Sequence, residues 1–115
     1  MQTRNGRPEK HASSLGYLRC RAEPGMFRGE LLVHIEGMDP RKPAEKIPIQ
    51  LFVDRSEVAE LNSEPRRNSP VGGWLRVTLV FKRGEIGEVI LPQPAQPVGE
   101  SMLVDMKDFR EDVKV

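Results

Sequence analysis

Cys20 is the only thiol in this 115-residue chain, and His34 is the first imidazole that follows it. A thiol attacks only as the thiolate, so a catalytic Cys20 needs a base such as His34 brought against it. The two share no local motif, and the fold alone would have to unite them. Burial as a small apolar side chain is the competing reading of Cys20. His11, the other histidine, stands in a polar N-terminal stretch. Carboxylates recur three apart, Asp54 with Glu57 and Asp105 with Asp108. The first pair suits a helix start, where an aspartate accepts from free amides, and the second suits a solvated terminus. One cysteine excludes an intrachain disulfide and a cysteine-based metal site. No metal, no cofactor and no catalytic residue is expected, so the chain reads as non-enzymatic.

A second constellation suits recognition. Trp74 and Arg76 alternate on one strand face, and Lys82 and Arg83 follow in the same hairpin. An aromatic surface among cations favours single-stranded nucleic acid, whose bases stack while its phosphates are neutralised. Arg66 and Arg67, Arg41-Lys42 and a basic N-terminal arm would add phosphate contacts. The net charge of +1, an aromatic content of 5% and the nearby Glu85 and Glu88 weigh against this.

The segment positioning Trp74 is WLRVTLVFKRGEIGEVIL, residues 74–91, read as two strands around a tight turn. A three-residue loop, Lys82-Arg83-Gly84, puts glycine where a left-handed residue is needed and pairs Leu79 with Gly87, Val77 with Val89 and Leu75 with Leu91. Leu75, Val77, Leu79, Phe81, Val89 and Leu91 then face inward. Trp74, Arg76, Thr78 and Glu88 face outward, with Val80 opposite Ile86. Val80, Ile86 and Ile90, with Leu32 and Phe52 elsewhere, leave more apolar surface on the second face than a solvated sheet carries.

Other strands are expected at 16–22, 30–36, 47–53 and 102–106, each with alternating apolar positions. Pro48 marks an edge strand. Asp54-Arg55-Ser56-Glu57 should start a short helix carrying Val58 and Leu61 on one face. Residues 62–73 should form a loop and 92–97 a stiff proline-rich crossing. No internal repeat is read at any useful period. The fold expected is all-β with one short helix, a single barrel of about six antiparallel strands, OB-like, SH3-like or a split barrel. Residues 15–109 form the domain, with a disordered tail at 1–14 and a frayed one at 110–115.

Asp54-Arg55-Ser56 after a strand resembles the Asp-x-Ser motif of the PilZ family. That resemblance implies a six-stranded barrel binding a cyclic dinucleotide. Ala59 stands where the family has glycine, and no Arg-x-x-x-Arg precedes the motif.

These features lead to three expectations. The first is a protein-interaction or dimerisation module acting through Val80, Ile86 and Ile90. The second is a single-stranded nucleic-acid binder, and the third a small-ligand barrel of the cyclic-dinucleotide kind. No apolar run forms a signal peptide or a membrane span, so no membrane partner and a cytoplasmic location are expected.

Overall fold

Apolar residues at every second position dictate strands along almost the whole chain. The computed structural model describes residues 13–112. Its strands are β1 (Ser14–Pro24), β2 (Glu30–Asp39), β3 (Lys42–Asp54), β4 (Val58–Ala59), β5 (Val71–Arg83), β6 (Ile86–Ala95), β7 (Gly99–Asp105) and β8 (Phe109–Glu111). All pairings are antiparallel. Strands β1, β2, β7, β6 and β5 close into a five-stranded barrel. Outside this ring, β3 pairs with β2, β8 with β1 and β4 with β5. Most of the expected tail at 1–14 lies outside the described residues. Ser14 already belongs to β1, and Arg110 and Glu111 belong to β8, opposite Tyr17 and Gly16.

The chain contains an internal repeat that its residues did not reveal. Three strands, one 3-10 turn and a short strand occur twice, with turns at Arg55–Glu57 and Met106–Asp108. Each turn begins with an aspartate, Asp54 or Asp105, whose carboxylate accepts from the backbone N–H two residues on. The halves interlock, since β4 of the first pairs with β5 and β8 of the second pairs with β1. Leu18 and Leu75 face each other across β1 and β5 at the internal two-fold. Val58 lies opposite Leu75, and Phe109 lies opposite Leu18. A Cβ on Gly16 would meet the Phe109 ring, and one on Gly73 would meet Val58. Each half therefore keeps a glycine where the short strand's leading apolar side chain crosses. The repeat is masked because the two halves place like types of residue, seldom identical ones, and because β3 has 13 residues where β7 has 7.

The hairpin of β5 and β6 corrects the expected register. Its loop has two residues, Gly84 and Glu85, flanked by the pair Arg83–Ile86. Gly84 has φ +61 at the first central position, as a type II′ turn requires. A bulge at Val80 shifts the pairing, so Leu79 lies opposite Val89. This register differs from the expected one by two residues, which leaves the side chains of β5 before the bulge, and their β6 partners, on their expected faces. Leu75, Val77, Val89 and Leu91 are accordingly buried, and Leu79 is half-buried against the core. Only the tip beyond the bulge turns over. Phe81, expected inside, lies opposite Glu88 and is 46% exposed. Val80 does not face Ile86.

The expected helix at Asp54 is a single 3-10 turn followed by β4. Val58 donates its backbone N–H to Arg55 and is already extended, so the turn closes after three residues. Val58 is buried through strand pairing, as suits a β-branched residue. The proline-rich segment is not a separate crossing, because β6 continues through Pro92 and Pro94 to Ala95. Leu18, Val33, Leu75, Val89, Met102 and Val104 are each at most 1% exposed at the centre of the core. Among the described residues no polar or charged residue is buried with them.

Candidate functional site

Cys20 and His34 do not form a catalytic pair. Cys20 points into the core with Leu18 and Ala22, and burial pushes its thiol up to about 12. His34 sits opposite Arg21, on the outer side of β2. Its Nε2 lies 2.6 Å from Glu23 Oε2, and Gln50 Nε2 stands 3.3 Å from its Nδ1. The imidazole is thus engaged, and on the wrong side of the sheet. A thiol reagent should therefore label Cys20 only as fast as the barrel unfolds, and His34→Ala should not slow that labelling. Rapid stoichiometric labelling of the folded protein would show the burial to be wrong.

The aspartate motifs are also explained locally. Asp54 Oδ2 accepts from the backbone N–H of Ser56 at 2.9 Å and from its hydroxyl. Arg55 makes two 3.0 Å bonds to Glu64. Asp105 accepts from Lys107 N at 3.1 Å in the second half, with no serine present. What the two halves share is the turn, so the aspartates serve the fold. Among the described residues no group of three or more His, Cys, Asp or Glu is placed to hold a metal ion.

Several surface carboxylates carry a pH signature. Hydrogen bonds from His34 hold Glu23 below its ordinary 4.5, and Arg55 does the same for Glu64. Arg41 holds Asp39, and Ser56 holds Asp54, below the ordinary 3.8. A folded-state value below the unfolded one stabilises the fold above the ordinary range and ceases to do so as pH falls through the folded value. Thermal melts should be nearly flat at neutral pH and fall below about pH 4. A melting temperature that rises on acidification contradicts these bonds.

Two surfaces remain. On the first, the outer side of β1 and β5, Tyr17 lies opposite Arg76 and Arg19 opposite Trp74. Arg110 of β8 lies opposite Tyr17. The Arg110 guanidinium is 4.4 Å from the Trp74 ring centre and 5.6 Å from that of Tyr17, and Arg19 is 4.9 Å from Trp74. Arg110 also bonds Glu60 at 2.8 and 3.2 Å, and Arg19 Nε lies 3.6 Å from Asp108. Sequence reasoning found Trp74 and Arg76 but missed Tyr17, Arg19 and Arg110. Alternation put Tyr17 and Arg19 on the outer side of their strand, and nothing local said which strand would lie beside it. Arg67 reaches the same strand's far end, where its charge acts on Glu23 and Asn68 N donates to Glu23. Arg66 pairs with Ser69 in a short bridge. Lys82 and Arg83 stand about 25 Å further along β5, at the hairpin tip. There Arg83 lies 5.6 Å from the Phe81 ring centre.

The second surface is the outer side of β5, β6 and β7. Cross-strand rows run Leu15–Thr78–Ile90–Ser101, Phe81–Glu88–Leu103 and Arg83–Ile86–Asp105. Leu15 (42%), Phe81 (46%), Ile86 (36%) and Ile90 (43%) are exposed together there. Leu103, in the Phe81 row, is half-buried, as is Val80 at the bulge. Ile86 and Ile90 were expected on this face; Phe81 joins them through the bulge and Leu15 through the β1–β5 register. Glu88 accepts from the Ser101 hydroxyl at 3.2 Å in the middle of the face. The other apolar residues of the expected second face lie away from this patch and opposite each other, Phe52 exposed on β3 and Leu32 half-buried on β2.

No protein-family model, curated protein or solved structure matches the chain. Among the described residues no helix is long and apolar enough to cross a membrane.

Proposed function

We propose that this barrel is a non-enzymatic protein-interaction module that self-associates through the outer face of β5 and β6. The observation that carries this reading is the grouping of four exposed large apolar side chains, Leu15, Phe81, Ile86 and Ile90, on adjacent strands. Scattered exposed apolar residues are ordinary, whereas a contiguous patch marks a contact surface. A second copy suits the face because Glu88 at its centre and Lys82 and Arg83 at its rim can pair reciprocally across a two-fold. The net charge of +1 sets up little repulsion between copies. A reduced cysteine without a disulfide partner fits a reducing compartment such as the cytosol.

Light scattering over a concentration series is the test. The apparent mass should rise from 13.0 kDa toward twice that value. A single-copy mass at every concentration contradicts self-association.

A further inference from the structure

The arginine–aromatic surface of β1 and β5 adjoins the proposed dimer face, one outward row from Leu15 and Thr78, and is built differently. Along β1 the outward residues Tyr17, Arg19 and Arg21 follow one another at every second position, about 6.6 Å apart. Trp74 and Arg76 stand beside them on β5. Among the described residues Arg21 and Arg76 form no ion pair, whereas Arg19 and Arg110 have carboxylates near them. β1 pairs with β8 over 16–18 and with β2 over 21–24, so its edge is open between them. A cleft of about 340 Å³ fills that gap, lined by Arg19, Arg21 and His34 together with Glu36 and Asp108. Its position places cations beside Trp74 and directly along the strand.

We infer that this surface binds single-stranded nucleic acid. The backbone would follow β1, with phosphates on Arg76, Arg19 and Arg21 and the cleft taking one of them. Bases would stack against Tyr17 and Trp74 by displacing the Arg110 and Arg19 guanidiniums that lie over these rings. Stacking on an aromatic ring and charge along a groove are the two components single strands require. The spacing of alternate strand residues is comparable to that of successive phosphates on an extended strand. Glu36 and Asp108 in the cleft argue against a dense polyanion and keep binding modest. Duplex DNA fits poorly, because its bases are stacked inside and cannot reach Trp74.

Trp74 is the only tryptophan, so its fluorescence reports this surface alone. The experiment titrates the full chain at low salt with an oligothymidine of about ten nucleotides. Quenching should accompany binding, and the logarithm of affinity should fall with that of salt concentration at a slope of about −2, from about −0.7 per phosphate. Arg21→Ala and Arg76→Ala, both at exposed positions, should each reduce that slope by about 0.7. Lys82→Ala and Arg83→Ala at the hairpin tip should leave it unchanged. The inference is overturned if no quenching occurs, or if thymidine monophosphate, duplex DNA or polyglutamate binds as tightly as the oligonucleotide. It is also overturned if the tip variants lower the slope and the β1 and β5 variants do not. Light scattering of the same samples reads the dimer separately, so either proposal can fail alone.

Discussion

Replacing Leu75 by alanine is expected to lower the stability of the barrel by about 3 kcal/mol. Leu75 is fully buried and touches both halves of the molecule, opposite Leu18 on β1 and Val58 on β4. Strands on both sides hold its surroundings, so the cavity cannot collapse, and the lost transfer free energy is increased by the void. Leu18→Ala should cost about as much, since Leu18 holds the equivalent place in the other half, beside Phe109. The double variant should cost less than the sum of the two, because directly opposed side chains share one space. Urea denaturation reads this as a lower midpoint at an unchanged slope. Phe52→Ala, on the exposed side of β3, should change stability by less than about 0.5 kcal/mol. Equal effects of Leu75→Ala and Phe52→Ala would contradict the placing of the core. Domains of this size are stable by only about 5–15 kcal/mol, so the Leu75 effect is a large fraction of the total.

The same leucine shows what could be read from the residues. Alternation of apolar and polar positions assigned Leu75, Val77, Val89 and Leu91 to the core, because strand periodicity depends only on residue parity. The expected and observed registers differ by two residues, which preserves parity. Phe81 was lost because a bulge changes parity, and a bulge at Val80 has no mark in the residues around it. The 3-10 turn at Arg55 was mistaken for a helix for a related reason. An aspartate cap begins both structures, and pairing of Val58 with β5 decides between them. The repeat lies in pairing and packing and scarcely in residue identity, so it leaves no period in the residues.

The candidate surfaces were legible in the same partial way. Trp74 with Arg76, and Ile86 with Ile90, were visible as outward residues of one hairpin. Their neighbours Tyr17, Arg19, Arg110 and Leu15 come from β1 and β8, distant in sequence, and only the register of those strands brings them in. Lys82 and Arg83 were grouped with Trp74 on sequence proximity, which in an extended strand means separation in space. Cys20 and His34 stand on neighbouring strands, and alternation sends them to opposite faces.

The central claim is that the outer face of β5 and β6 is a contact surface between copies. A face-directed variant, Phe81→Asp with Ile90→Asp, tests it most directly, because both side chains are exposed and neither supports the core. Two carboxylates in place of apolar contact side chains should weaken association at least about a hundredfold, since the buried apolar area is lost and each charge must be desolvated. Sedimentation equilibrium should give a wild-type dimer and a monomeric variant, with the thermal melt of the variant in dilute solution close to that of the wild type. A variant that sediments like the wild type, or a wild type that is monomeric throughout, would contradict the assignment of this face.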